Sequence, residues 1–243
     1  MNVTACRTAL MLGPLLLVTL FLGCATKECP YCKADKAAAP AATSAAKAVP
    51  APTSAARSLF DGKSLAGWKD SGFAGAGETK VEPNFRGQGP VILIEAGQSL
   101  SGITFTNPVP KTNFEVTLEA LKIQGSDFFI GLTFPVAEAH ATLVLGGWGG
   151  ATTGISSIDG LDASENDTTK FLGYDKDKWF RIRMKVTPGR LETWINDDKI
   201  VDQDIKERRI SMRFGEIENS VPFGLATYQT TTVIRKVEIK PVQ

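Results

Sequence analysis

Acidic side chains near residue 216 have a spacing that suits acid–base chemistry. Glu216 and Glu218 are separated by one residue. On a β-strand both would therefore point to one face, with their Cα atoms about 6.5 to 7 Å apart. Pairs of carboxyl groups at comparable separations serve as acid and base in enzymes that cleave glycosidic bonds. Asp127, at the start of an apolar run, is a further candidate base. We take Asp127 and Glu216 as catalytic candidates, and a solvated strand edge is the alternative for the glutamate pair.

His140 is the only histidine in the chain. Because histidine is the side chain whose ordinary pKa lies nearest to neutrality, His140 is a third catalytic candidate. A single histidine also restricts metal chemistry, since any metal would have to be held mainly by carboxylates. All four cysteines lie within the first 32 residues, so thiol chemistry is excluded from the rest of the chain.

Aromatic and polar side chains suggest a sugar-binding surface. Trp148 stands in the run Gly-Gly-Trp-Gly-Gly, which leaves its ring face open to stack on the C–H face of a sugar. Counting alternate residues from Asp127 places Phe129 on the same outward face. The substrate-binding candidates are Phe129, Trp148, Arg181, Glu218 and Tyr228. The alternatives are a tryptophan that closes one end of the fold and an arginine on a charged outer face.

The segment 157–167 is rich in oxygen donors. Asp159, Asp162 and Glu165 could together bind Ca²⁺, which prefers oxygen ligands. Their spacing differs from that of an EF-hand loop. A solvated loop with local Asx turns is therefore the favoured interpretation, and calcium is the only cofactor that the sequence suggests.

Apolar residues alternate with polar ones in many short segments, which is the pattern of half-buried β-strands. Turn-forming residues separate them, for example at 187–189 and 196–198. A short stretch near 205–209 is the only possible helix. The predicted strands are 91–94, 114–120, 128–134, 142–145, 180–186, 191–195, 199–201, 223–227 and 233–239. We expect an all-β fold of two antiparallel sheets, a β-sandwich or jelly roll.

The N-terminal part differs in composition from the rest. Residues 1–23 have the character of a signal peptide, and residues 20–24 match a lipobox, so we expect Cys24 to be lipidated, with simple cleavage or an uncleaved anchor as the alternatives. Residues 24–57 are rich in Ala, Pro and Ser, which predicts a disordered linker. Cys29 and Cys32 in this linker most simply form a local disulfide, with metal capture and a catalytic redox role as the alternatives. Residues 58–243 then form one domain, held at the bacterial outer membrane and facing the periplasm or the surface.

The charge balance gives no sign of a polyanionic partner. The chain has 27 basic and 26 acidic residues, a formal net charge of +1. Basic residues form no stripe that could follow a phosphate backbone, so nucleic acid is excluded as a partner. The expected contact with a membrane is through the lipid anchor.

Three segments carry a resemblance to a known family. The first is Ser-Leu-Phe-Asp-Gly-Lys-Ser-Leu-Ala-Gly-Trp-Lys at 58–69, where Asp61-Gly62 favours a tight turn in an opening hairpin. The second runs from Lys178 to Asn196, and the third from Val233 to Lys240. Together they make residues 58–243 similar to the 3-keto-disaccharide hydrolase family, the DUF1080 domains.

The resemblance implies a concanavalin A-like β-sandwich with one sheet forming a binding face. It also implies a carbohydrate ligand and cleavage of a 3-keto-glycoside outside the cytoplasm. In that reaction Asp127 or Glu216 would be the base, and His140 or Arg181 would stabilise the oxyanion. The chain departs from the family pattern near residue 127, where the usual arginine and carboxylate of the central strands are absent. A lectin-like module without catalysis and a purely structural envelope lipoprotein are therefore the alternatives.

Overall fold

The computed structural model describes residues 55–243, which form two antiparallel β-sheets and two short 3₁₀ helices. The helices are Phe85–Gly87 and Glu216–Ser220. The strands are β1 (Arg57–Ser58), β2 (Trp68–Asp70), β3 (Thr79–Glu82), β4 (Val91–Ile94), β5 (Leu100–Phe105), β6 (Phe114–Gln124), β7 (Ile130–Val136), β8 (Ala139–Gly147), β9 (Thr152–Ser156), β10 (Lys170–Phe171), β11 (Trp179–Thr187), β12 (Arg190–Ile195), β13 (Asp198–Asp204), β14 (Gly224–Tyr228) and β15 (Thr231–Pro241).

Strands that are distant in sequence pair within each sheet. Sheet I has the order β13-β12-β11-β6-β15-β4-β3, with β1 added alongside β15. Sheet II has the order β10-β9-β8-β7-β14-β5-β2. The last two strands of the chain thus lie inside the sheets, β14 between β7 and β5, and β15 between β6 and β4.

The inner faces of the two sheets form one continuous apolar core. Phe114 and Leu118 of β6 point into it from sheet I, and Leu132 and Leu225 point into it from sheet II. Each is fully buried, which stabilises the fold by about 1.5 to 3 kcal/mol per side chain. The predicted all-β sandwich of two antiparallel sheets is confirmed, and the alternation of apolar residues is its physical origin.

The opening segment is not a hairpin, contrary to the sequence-based prediction. β1 pairs with β15 in sheet I, whereas β2 pairs with β5 in sheet II, so the segment crosses from one sheet to the other. The expected turn is present, because Asp61 Oδ1 accepts hydrogen bonds from the N–H groups of Lys63 and Ser64, both at 2.8 Å. The indole N–H of Trp68 donates to the carbonyl of Leu59 at 2.7 Å and fixes the crossing.

Several elements differ from the predicted ones. The sequence did not predict β5 and β9, and the stretch near 205–209 contains no helix. All residues of β5 and β9 are buried, and their serine, threonine and glycine residues obscured the alternation. The hairpin turn between β11 and β12 is as predicted.

The outer face of sheet II carries a row of small side chains that crosses five strands. The residues lie directly opposite one another in neighbouring strands, and in order they are Gly154, Val144, Gly131, Ala226 and Gly102. Because most of them project little or nothing above the sheet, other segments can approach the backbone closely. A Cβ atom on Gly131 would lie 3.1 Å from Cε2 of Phe128, which packs over that position.

Several predictions concern residues that the structure leaves undescribed. The signal peptide, the lipidation of Cys24, the Cys29–Cys32 disulfide and most of the linker lie before residue 55. Within residues 55–243, no helix is long and apolar enough to cross a membrane.

Candidate functional site

A cleft of about 420 Å³ lies on the outer face of sheet II. This size falls within the range of small-molecule sites. Four groups of residues line it: Thr142, Val144 and Ser156 from β8 and β9; Asp127, Phe128 and Trp148 from the two ends of the β7–β8 hairpin; Ser99, Leu100 and Tyr228; and Arg213, Phe214, Glu216 and Ile217 from the segment before β14. The cleft is therefore assembled from distant parts of the chain.

Asp127 connects two walls of the cleft. Its Oδ1 accepts a hydrogen bond from the N–H of Phe128 at 2.7 Å, and its Oδ2 accepts one from the N–H of Gly149 at 3.1 Å. The second bond holds the glycine-rich turn after β8, on which Trp148 stands with 43% of its surface exposed. Asp127 and Trp148 both line the cleft, and the carboxylate positions the indole ring.

Glu216 lies in the cleft, but not on a strand. It begins the 3₁₀ helix Glu216–Ser220, and its Oε1 accepts a hydrogen bond from the N–H of Ala74 at 3.1 Å. In a 3₁₀ helix residues two apart point in different directions. Glu218 is exposed and is absent from the cleft lining, so the prediction of two carboxylates on one strand face is wrong.

Sequence reasoning missed Arg213 and Phe214. The guanidinium of Arg213 lies 5.6 Å from the ring centroid of Trp148, and its Nη1 is 2.7 Å from Oδ2 of Asp162. Phe214 is 94% exposed at the edge of the cleft. Both lie in a segment without regular secondary structure, where alternation gives no signal. The only signal in the sequence was the position of Phe214 between an arginine and a glycine, outside any apolar run, which indicates an exposed ring.

Phe129 points inward, which corrects the predicted outward orientation. It is fully buried, with its ring centroid 4.9 Å from that of Tyr174 and 5.8 Å from that of Phe180. Regular strand geometry begins only at Ile130. Residues 127–129 are irregular, so counting alternate residues from Asp127 gave the wrong face for Phe129. Phe128 takes the place in the cleft, with its ring 5.9 Å from that of the other predicted aromatic residue, Tyr228.

His140 and Arg181 are absent from the cleft lining. His140 lies near the start of β8, opposite Pro135. Partial burial there, together with the nearby Lys111 ammonium, lowers the pKa of His140 below its usual value. Arg181 lies on β11 in the other sheet and forms an ion pair with Asp197. Neither side chain can stabilise an oxyanion in this cleft, contrary to the role expected for them.

The oxygen-rich segment 157–167 binds arginine side chains. Asp159 accepts hydrogen bonds from the guanidinium of Arg208 and from the N–H of Arg209, both at 2.8 Å. Asp162 pairs with Arg213. Within residues 55–243, no three His, Cys, Asp or Glu side chains are grouped so that they could hold a metal ion. Asp159, Asp162 and Glu165 are thus not grouped as the calcium alternative would require, and the loop interpretation was the favoured one.

Comparisons with known proteins agree with the fold. Residues 55–240 match the family described as the 3-keto-alpha-glucoside-1,2-lyase-like domain. The apo Crh5 transglycosylase is similar at 8% identity and a TM-score of 0.51, with 79% of this chain and 85% of that chain covered. The carbohydrate binding module CBM66 from Bacillus subtilis is similar at 14% identity and a TM-score of 0.44, with coverages of 72% and 95%. No curated protein matches the sequence. The likeness to the transglycosylase shows a shared fold.

Proposed function

Because the chain belongs to the family of 3-keto-alpha-glucoside-1,2-lyase-like domains, we propose that its cleft binds a 3-keto-glycoside and eliminates the substituent at C1. One observation carries this proposal. The cleft brings together two carboxylates, Asp127 and Glu216, one guanidinium, Arg213, and the exposed ring of Trp148. Aromatic faces bind sugar rings, and the charged groups have the types that the elimination requires.

The reaction needs a base and an oxyanion stabiliser. A ketone at C3 acidifies the proton on C2, and removal of that proton leads to a C1=C2 double bond as the bond from C1 to the glycosidic oxygen breaks. The departing oxygen takes up a proton from water, so the aglycone leaves as an alcohol. We assign Glu216 as the base. Of its two carboxylate oxygens, Oε1 accepts a hydrogen bond from a described residue and Oε2 accepts none, so Oε2 can take the proton from C2. Arg213 is assigned to the negative charge that develops on the C3 oxygen, in the place expected for His140 or Arg181. Asp127 orients Trp148 and accepts hydrogen bonds from sugar hydroxyl groups.

Substitution of the proposed base tests this assignment. Glu216→Gln keeps the shape and the hydrogen-bonding oxygen, and we expect it to lower kcat for aglycone release by roughly 10² to 10⁴-fold. Glu218→Gln is the matched control, because this exposed glutamate of the same short helix does not line the cleft. Equal rates for the wild type and Glu216→Gln would remove Glu216 from the mechanism.

A second candidate function is sugar binding without catalysis. Both carboxylate oxygens of Asp127 already accept backbone hydrogen bonds, which suits a positioning role better than proton transfer. This alternative predicts that 3-keto-glycosides and unoxidised glycosides bind to the cleft and are recovered unchanged. Product release that depends on Glu216 would exclude it.

We further propose that Cys24 carries a lipid that holds the domain at the outer membrane, outside the cytoplasm. The support is the lipobox-like sequence at 20–24 and the apolar run before it. Cys24→Ser should abolish metabolic labelling with palmitate and release the protein from the membrane fraction. Unchanged labelling of this variant would contradict the proposal.

A further inference from the structure

Phe214 has almost no contact with the rest of the protein. Its side chain is 94% exposed, the largest value among the exposed large apolar residues of the described chain. A ring in this position contributes little to folding stability, because it buries almost no apolar surface. It nevertheless borders the cleft that contains Glu216 and Trp148.

The backbone around Phe214 is held in place although the ring is free. Ser211 exchanges two backbone hydrogen bonds with Ser157, at 2.8 and 3.2 Å, which pairs this segment with the end of β9. Gly215 has φ of +127°, a conformation that favours glycine, and no atom lies within 4 Å of a Cβ built on it. The bend at Gly215 turns the chain into the helix that carries Glu216 and leaves the preceding ring facing solvent.

Phe214 therefore lies close to the proposed reacting groups. It precedes Glu216 by two residues, so their Cα atoms are at most about 7 Å apart. A sugar ring has a comparable length. A ligand whose first ring reacts beside Glu216 can thus place its second ring against Phe214.

We propose that Phe214 is the stacking platform of an aglycone subsite at the mouth of the cleft. It favours glycosides whose substituent at C1 is a ring with an apolar face, such as a second sugar or an aryl group. This inference rests on the proposed function, since the cleft must hold the first ring. Phe214 then determines specificity and takes no part in proton transfer.

The chemistry of the rim explains why a ring is preferred to a chain. An aromatic face gains most from a flat or chair-shaped partner that covers it, and a methyl group covers little of it. Arg213 and Trp148 border the same cleft, so a sugar held there also meets a hydrogen-bond donor and a second aromatic surface. Sugar rings and aryl rings both have an apolar face, and the experiment distinguishes these two kinds of aglycone.

The test measures dissociation constants and KM for three 3-keto-glucosides that carry a methyl, a phenyl or a glucosyl group at C1. We expect Phe214→Ala to weaken binding of the phenyl and glucosyl compounds by roughly tenfold and to leave the methyl compound unchanged. Phe214→Trp should restore the preference. Phe171→Ala is the matched control, because this ring is 76% exposed on β10 and does not line the cleft.

Each outcome has a defined meaning. A loss confined to the phenyl compound supports an aryl aglycone, and a loss confined to the glucosyl compound supports a second sugar. Equal effects of Phe214→Ala on all three compounds, or no effect on any, overturn the subsite while the proposed function stands. Binding that depends on Phe214 without turnover keeps the subsite and rejects catalysis. A wild type that binds none of the compounds overturns both.

Discussion

The adjacent residues Phe128 and Phe129 serve opposite surfaces of sheet II. Phe128 lines the cleft and packs over Gly131, whereas Phe129 packs in the core against Tyr174 and Phe180. Consecutive residues of a regular strand also point to opposite faces, but here Phe129 and Ile130 both point into the core, so the irregular backbone before Ile130 reverses the faces that alternation predicts. The function of each ring follows from its side of the sheet.

Alanine substitutions distinguish these two roles. We expect Phe129→Ala to lower the free energy of unfolding by about 3 to 5 kcal/mol, because it leaves a cavity among buried rings. Phe128→Ala should be less destabilising and should weaken sugar binding, because its ring is only partly buried. Urea denaturation and a binding titration measure both effects. A larger stability loss for Phe128→Ala would contradict the assigned faces.

His140 makes stability depend on pH in a defined direction. Burial and the Lys111 ammonium lower its pKa in the folded chain, so the unfolded chain takes up the proton more readily. Stability therefore rises with pH through this interval. The destabilisation is fully present below the folded pKa and vanishes above the unfolded value of about 6.5.

The matching variant is His140→Gln, which does not titrate. We expect its unfolding free energy to fall less than that of the wild type between about pH 7.5 and 5, where the histidine contributes. Urea denaturation at a series of pH values gives both curves. Parallel curves would show that His140 has the same pKa in both states.

At the scale of elements, ion pairs attach one wall of the cleft to sheet II. Arg208 pairs with Asp159 and Asp167, and Arg213 pairs with Asp162. These contacts join the segment before the second 3₁₀ helix to the loop between β9 and β10. The acidic loop thus has a structural partner within the chain.

We expect Arg208→Met to loosen this wall without unfolding the domain. Exposed ion pairs contribute little to stability, so the global free energy of unfolding should change little. The amides of Ser157 and Ser211, which pair across the junction, should exchange hydrogen faster. Arg190→Met is the control, because it breaks the Arg190–Asp202 pair on β12 and β13. Unchanged exchange in Arg208→Met would show that the backbone pairing holds the wall alone.

The sequence predicted strands better than it predicted the site. Alternating apolar residues are a direct consequence of a two-sided sheet, so β4, β11 and β12 were found nearly at their true bounds. The cleft depends on loop conformations, which leave no periodic signal. Of the residues that the sequence singled out, Asp127, Trp148, Glu216 and Tyr228 line the cleft, whereas Arg213 and Phe214 belong to an irregular segment that only tertiary contacts position.

At the scale of the whole molecule, the first residues of the described chain already contribute to the fold. β1 pairs with β15, and the next two residues, Leu59 and Phe60, are buried in the core. We expect a protein that begins at residue 55 to unfold at the same temperature as the full chain. Removal of residues 55–60 should cost at least about 3 kcal/mol, since two large apolar side chains leave the core.

Thermal and urea unfolding of the two truncated proteins check this boundary. A protein beginning at residue 61 that is as stable as the full chain would show that the crossing segment is dispensable. A loss of stability already at residue 55 would mean that earlier residues contribute to the fold.

The position of the last two strands also constrains how the protein is made. β14 and β15 fill the middle of the two sheets, so a growing chain that lacks them has unpaired strand edges on both sides of each gap. Sheet II cannot be completed until residue 228 has been synthesised, and sheet I cannot be completed until residue 241 has been synthesised. Fragments that lack these two strands should therefore be prone to aggregate, and this domain can fold only after both strands have been synthesised.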